Sequence, residues 1–581
     1  MASKRTTGIR FKFKLWVNQC QVFYTFHYHN YLIRFCMAQA PKVFTREATG
    51  LVRGISVWDA FWYNNWTAGG PFSSMLWLSI YTVWFPNADL VLALVITAIF
   101  TTFIGAMYAM MVVVTPRSGS DYVFVSRTLW PALGLAFSVN LVFWLMMINA
   151  WNVYLTFAFL SQSIYSLGAM VGSVSLMNAW GAVSGSTTGI LIVGLIIYII
   201  STLLVSFGMS RYMRGFQRVL NYSFFISLAI IVGAVLYFSR ADFISHYNAV
   251  FSGLSGSSDP YHDIFSLAHG LGWTAPTGFD WNQTVTVAVL YWFISLWPMS
   301  SAWTGGEIKQ ASSVKAQFIA MSGGQWFTVL ICALYVHFWL DKFDKNWLGA
   351  LGYIAMNYPN KIPTYLQGAT PYWQLPWVNI LINNVPLAFI VSISWVLQCV
   401  AVITPLIVAC SRHLFAWSFD RVVPSKMSEV SERFSSPILS VLVIGVITLI
   451  GYVFTVYTTF LNFSVGGPVG VMWSMLIISV ASIVFMWRRK EMYQTSSLSR
   501  SKGSKAIMPL MGLLSLGTII MMLYYYLGPL NVQIIGGYAS WVTEATVAIF
   551  VIGIAGYYAA KSVQAKRGVP LELVFGQLPP E

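Results

Sequence analysis

The chain has 581 residues, 57% of them hydrophobic and only 9% charged, with 40 Phe, 30 Tyr, 25 Trp and a formal net charge of +15. A typical soluble domain is about one quarter charged, so a water-soluble core for this many large apolar groups is excluded. The basic residues lie between long uncharged runs rather than in one patch, which excludes a nucleic-acid footprint as the reason for the charge.

Residues 1–36 are basic and aromatic, and Asn, Gln and His interrupt every apolar stretch in them, which makes a poor signal peptide. From Met37 the chain reads MAQAPKVFTREATGLVRG, an ordinary short lead-in. Residues 1–36 are therefore expected as an upstream extension, the alternative being an amphipathic surface tail. Twelve membrane spans follow, at 54–84, 88–115, 129–163, 188–209, 216–238, 284–306, 314–340, 379–411, 436–460, 464–487, 507–527 and 542–560. Each is near the ~20 residues that cross a bilayer. With the segment 1–53 assigned to the cytoplasm, 29 of the 33 Lys and Arg fall inside, and Arg240, Lys342, Lys345 and Lys361 fall outside. That asymmetry predicts a multi-pass protein of the cytoplasmic membrane with both termini, 1–53 and 561–581, inside. Its surface partners are membrane lipids and not nucleic acid. Cys332, Cys399 and Cys410 lie in apolar spans without metal-ligand spacing, so packing is their expected role.

Two spans are interrupted. WYNNWTAGGP, 62–71, breaks span 1, and span 6 carries Trp297-Pro298, Ser300-Ser301 and Gly305-Gly306. The interruptions correspond if residues 54–238 and 284–487 are two five-helix halves, separated by the outer loop 239–283. The second half contains the outer loop 341–378, and residues 507–560 form two further helices. An odd number of spans per half inverts the second relative to the first. Paired interrupted spans in inverted halves point to a binding site near the midplane, because non-helical backbone at that depth must be satisfied by protein or by a polar cavity.

The segments REATGLVRGISVWDAFWYN (46–64), TPRSGSDYVFVSRTLWPALG (115–134), GGEIKQASSVKAQFI (305–319) and SRHLFAWSFDRVVP (411–424) resemble amino acid–polyamine–organocation (APC) superfamily transporters, and within it the prokaryotic amino acid permeases. The resemblance implies an all-α LeuT-like fold of ten core helices in a 5+5 inverted repeat plus two peripheral helices. It also implies a secondary transporter of an amino acid or related amine, with substrate held at the broken helices 1 and 6. Carried onto this chain, those roles fall on Asn64, Asn65, Thr67, Ala68, Gly69 and Gly70, and on Ser295, Leu296, Trp297, Met299 and Ser300. WTAGGP stands where the family often has a G-S-G-I-F-like turn, and Trp297 and Met299 stand in the glycine and acidic places of a common F-x-G-F-E, which leaves the substrate open.

A broken helix suits a zwitterion: free N–H groups and the positive dipole end receive a carboxylate, and free carbonyls receive an ammonium. Asp59 and Glu307 sit near the inner ends of spans 1 and 6 and, with Arg53, are expected to gate the inner mouth. Span 5 has no midplane lysine, and Ser392, Ser394 and Thr404 of span 8 are the candidate oxygen ligands for an ion. Sodium coupling or uncoupled exchange is read ahead of proton coupling, which would run through Asp59 or Glu307, and no other cofactor is expected. A non-transporting amino-acid sensor on the same scaffold is the alternative function. A membrane-embedded enzyme is disfavoured, since the chain has no HExxH motif and its seven histidines are scattered.

Overall fold

The computed structural model describes residues 50–579 apart from 68, 296, 369–372, 459–465, 531–536 and 577, with side chains described outside 72–74, 76–79 and 293–295. Residues 1–36 thus lie outside the described residues, as do Ala68 and Leu296. Among the described residues the protein is helical, with three isolated β-bridges and no strand. Ten helices are long and apolar enough to cross a membrane. They are span 2 (Leu90–Val114), span 3 (Pro131–Met170), span 4 (Thr187–Ser206), span 5 (Met209–Tyr237), span 7 (Val314–Phe343), span 8 (Val385–Phe419), span 9 (Ile438–Tyr457), span 10 (Gly467–Arg488), span 11 (Ser504–Leu527) and span 12 (Ala539–Lys566). Spans 1 and 6 each come in pieces: Val57–Thr67 with Gly70–Trp84, and Trp281–Ser295 with the short turns Ser300–Trp303 and Gly305–Glu307.

The side-chain pattern explains why these helices face lipid outward. Span 4 exposes Ile192, Ile196, Ile199, Ile200 and Leu203, a stripe at helical spacing, and buries Gly194, Tyr198, Ser201 and Val205. Span 9 likewise exposes Leu442, Val446, Ile450 and Phe454 and buries Gly445, Thr448 and Gly451. Large apolar groups outside with small and hydroxyl residues inside is the pattern of helices that pack in lipid. The two spans approach closely: the Tyr452 hydroxyl donates to Ile190 O at 2.7 Å. A Cβ on Gly194 would lie 1.9 Å from that hydroxyl.

A second local echo joins the broken spans. Span 3 is preceded by a short helix, Ser120–Thr128, and starts with a proline in its first turn; span 8 is preceded by Leu375–Ile382 and also starts with one. Proline fits there because the first-turn N–H has no intrahelical partner to lose. Asn383 makes the second corner in the left-handed region, with φ 47°. Spans 3 and 8, 40 and 35 residues long, pack along each other as the central pair, joined by Trp417 Nε1–H to Ser138 Oγ at 2.8 Å. Span 12 leans on span 3, and span 11 on spans 2 and 10.

On the side of the Ser120–Thr128 helix, Arg127 makes a bidentate pair with Asp420 at the end of span 8, at 2.5 and 2.7 Å. Both side chains are buried, and the guanidinium also lies over the Phe575 ring. Breaking a buried pair leaves an uncompensated charge, which costs on the order of 3–5 kcal/mol. Asp420→Asn is therefore expected to lower the thermal midpoint of the detergent-purified protein clearly in fluorescence-detected size exclusion; an unchanged midpoint contradicts the assignment.

Candidate functional site

The break in span 1 follows from its residues. Gly69 and Gly70 have φ of 92° and 61°, a region that glycine enters freely and other residues do not. The Gly69 N–H closes the inner half by donating to Trp66 O at 2.9 Å. Pro71 falls in the first turn of the outer half. A Cβ on Gly70 would lie 2.7 Å from Gln398 Oε1 and 2.8 Å from the Trp66 ring, so the break presents its backbone to span 8 at close range. Gln398 is fully buried.

Span 6 loses its α-helical ladder after Ser295 and continues as 3-10 turns to Glu307. Asn64 fastens the two interrupted spans together. Its Oδ1 accepts from the Ser301 N–H at 2.7 Å, and its Nδ2 donates to Ser301 Oγ at 2.9 Å and to Ala320 O of span 7 at 2.8 Å. Asn65 Oδ1 accepts from the Thr328 hydroxyl of span 7, and Asn65 Nδ2 is buried with no hydrogen-bond partner. The Thr67 hydroxyl returns to its own helix at Tyr63 O, 2.7 Å away. Ser300 Oγ–H donates to Trp297 O at 2.9 Å, and Trp297, Met299 and Ser300 are all buried. Asn149, on span 3, is also buried with both amide atoms unpartnered.

The three span 8 hydroxyls do not converge. Ser392 Oγ accepts from Asn379 Nδ2 at 2.9 Å, Ser394 Oγ lies 3.4 Å from Gln398 Nε2, and Thr404 Oγ1 lies 2.7 Å from the Tyr212 hydroxyl. Ser392 and Thr404 sit in one continuous helix, where twelve residues span roughly 18 Å. One ion cannot reach both.

The end expected to face inward is closed by backbone and charge. The segment before span 1 pairs with the one after span 6: Ile55 N–H donates to Glu307 O at 3.0 Å, and Lys309 N–H donates to Ile55 O at 2.9 Å. Glu307 Oε1 accepts from Arg412 Nε of span 8 at 2.7 Å, both side chains buried. Asp59 is used locally, accepting from the Ser56 N–H and hydroxyl at 2.9 and 2.7 Å, and Arg53 is exposed. Beside the Glu307 pair, Trp303 Nε1–H donates to Asp121 Oδ2 at 3.1 Å, and Asp121 Oδ1 lies 2.9 Å from His413 Nε2. On the opposite side, the Tyr165 hydroxyl of span 3 donates to Tyr365 O, and Phe159 packs on Trp373 with centroids 4.8 Å apart. Lys345 there reaches Pro86 O at 2.9 Å; partial burial holds its ammonium below its ordinary pKa, against the opposing pull of Asp89.

Sequence reasoning named one half of one inner contact. Glu307 stands out in the sequence and its partner Arg412 does not; nothing in the sequence marks Trp303, Asp121 and His413 as one contact. Gln398 was also missed; its signal is a lone amide in the apolar run SWVLQCVAV.

No protein-family model matches this chain, and no curated protein matches it in sequence. Among solved structures, MhsT in complex with L-phenylalanine is similar, with a TM-score of 0.51 at 13% identity, covering 80% of this chain and 97% of that one. At that identity the likeness establishes the fold: an all-α polytopic membrane protein of LeuT type. The APC resemblance of the loop segments has no family-model match beside it.

Asn64→Leu removes the Asn64 links to spans 6 and 7 and leaves the Ser301 N–H without its acceptor, a loss of about 1–3 kcal/mol. Its thermal midpoint is expected to fall, while Thr67→Val, whose hydroxyl serves only its own helix, stays near the parent. Equal midpoints for the two variants would contradict the cross-link.

Proposed function

We propose that this protein is a secondary active transporter that carries an amino acid or related amine across the cytoplasmic membrane by alternating access. The observation that carries the reading is the pair of interrupted spans, cross-linked through Asn64 and Ser301, within a LeuT-type fold. The outer half of span 1 offers its first N–H groups and dipole end to the carboxylate, and Gly69 and Gly70 clear the approach. Carbonyls freed where span 6 leaves its helix, around Ser295–Ser300, receive the ammonium. Ala68 and Leu296 belong to the same two turns by sequence. Glu307, with Arg412 as its partner, gates the inner mouth, and Arg53 and Asp59 lie on the same approach.

The solute class follows from what surrounds it. The breaks carry amides, hydroxyls and tryptophans but no acid or base, so a neutral side chain is preferred and a large apolar one fits best. The similar structure, MhsT, was solved with L-phenylalanine, which agrees with that preference. The reading requires no cofactor beyond a coupling ion, Na+ or H+, and its termini face the cytoplasm. The engaged, widely spaced hydroxyls of Ser392, Ser394 and Thr404 weaken the case for a shared sodium site on span 8.

Uptake of a labelled amino-acid panel into proteoliposomes tests the function. Neutral apolar and aromatic amino acids are expected to dominate. Dominant flux of arginine or a polyamine contradicts the reading, because a second buried cation without a counter-charge is expensive. Binding with no flux for any solute replaces it with the sensor. In the same assay Gly69→Leu is expected to abolish binding and uptake, read only in protein that inserts and elutes as a single species; normal binding by that variant puts the carboxylate elsewhere.

A further inference from the structure

We propose that Asp121 and His413 share the coupling proton of this transporter and that its loss to the cytoplasm releases the inner half of span 6. This inference rests on the transport reading and names its driving ion. His413 Nδ1 lies 2.8 Å from Ala409 O. A carbonyl only accepts, so Nδ1 carries a hydrogen. On the other side of the ring, Nε2 lies 2.9 Å from Asp121 Oδ1. A neutral imidazole with its hydrogen on Nδ1 would aim a lone pair at an ionised carboxylate across that distance. The contact is attractive only when one more proton is present, as imidazolium with carboxylate or as imidazole with carboxylic acid. Either arrangement leaves the pair with no net charge.

Both side chains are fully buried. Removing the shared proton would leave one uncompensated negative charge at that depth, which is costly unless water reaches it. The remaining contacts of Asp121 do not provide a cation: Oδ1 also accepts from the Tyr122 N–H at 2.8 Å, and Oδ2 accepts from Trp303 Nε1. The charged and titratable groups around the pair can be assigned element by element. On span 8, Arg412 pairs with Glu307 and Asp420 with Arg127. The connection between spans 2 and 3 adds Tyr122 and Arg127, span 2 adds Tyr108, span 6 adds Glu307, and the end of span 10 adds Arg489, which reaches Arg127 O.

The geometry couples the proton to movement. Asp121 and His413 belong to the scaffold, on the Ser120–Thr128 helix and span 8, whereas Trp303 belongs to the interrupted span 6. Gly119 N–H also donates to Trp303 O at 2.9 Å. When this part of span 6 withdraws, Asp121 loses the indole that covers it and gains water, and the proton leaves as the His413–Asp121 hydrogen bond gives way to solvation. The proton-bound pair thus favours the closed inner gate, and the deprotonated pair favours the open one. Reciprocity requires that opening the gate weaken proton binding equally. For coupling, the proton has to reach the pair from the outer side while the inner gate is closed, and it leaves to the inner side when the gate opens, so one proton is taken up and one released per cycle.

Hydrogen–deuterium exchange of the full chain in lipid nanodiscs tests the pair without any solute. It is read at residues 117–124 and 299–308, after correction for the intrinsic pH dependence of amide exchange. If opening releases one proton, protection is expected to fall roughly tenfold per pH unit over the range in which the closed pair holds the proton and the opened pair does not, and to level off on either side. Asp121→Asn, which holds a neutral hydrogen-bonding group there at every pH, flattens the profile, and His413→Gln does so independently. A flat profile in the parent, or the parent's slope in both variants, overturns the proposal. In proteoliposomes, an inward proton gradient is expected to drive accumulation of labelled L-phenylalanine in the parent. Asp121→Asn is expected to keep counterflow of that label at equal pH and lose the accumulation. Counterflow with no response to the proton gradient in the parent refutes the coupling and leaves transport standing. Absence of movement for every solute of the amino-acid panel removes the transport reading, and the exchange profile then decides the pair alone.

Discussion

Backbone amides that leave a helix at membrane depth have no water to turn to, and the architecture of this protein is organised around that constraint. Spans 1 and 6 both give up helical hydrogen bonds where they break. Asn64 supplies part of the replacement, serving a span 6 N–H, a span 6 hydroxyl and a span 7 carbonyl at once. Gly70 brings the other side of the break against Gln398. The amide side chains here act as substitute backbone. Some polar capacity is left over, in Asn65 Nδ2 and in both amide atoms of Asn149, and leftover buried capacity of this kind is what a polar ligand would use.

A second constraint acts at the inner end. Two ion pairs and one acid–imidazole hydrogen bond converge on the end of span 8: Glu307 on Arg412, Arg127 on Asp420, and Asp121 on His413. The last two tie span 8 to the Ser120–Thr128 helix and make a fixed frame. Glu307 and Trp303 tie span 6 to that frame. Charges this deeply buried are stable only in company, so this end of span 6 is held by its partners on span 8 and on the Ser120–Thr128 helix.

Much of the fold was legible in the sequence because lipid punishes the wrong pattern so heavily. The interruption at 62–71 was visible as NNWTAGGP, and the helix does stop at Thr67 and resume at Gly70. Span 3 was read to end at 163 and runs to Met170; span 8 was read to begin at 379, where the chain instead holds the separate helix Leu375–Ile382 and turns at Asn383. Apolar runs do not mark a corner made by an asparagine in the left-handed region. Partnership was the harder part. Arg412 and His413 lie next to one another in sequence, yet they serve Glu307 and Asp121, 105 and 292 residues away. Composition and spacing carry no information about such pairs. The hydroxyls of span 8 were legible as residues and not as ligands, because Asn379 and Tyr212 come from other elements.

The central claim is that the two interruptions enclose the solute. It is tested most directly by a density map of the full chain in lipid nanodiscs, saturated with the amino acid that the uptake panel favours. The account predicts density for one zwitterion between the breaks, its carboxylate within hydrogen-bond reach of the Gly69–Gly70 backbone and its ammonium facing span 6 carbonyls near Ser300. Solute density away from both breaks, or spans 1 and 6 running as continuous helices around an empty centre, would contradict it.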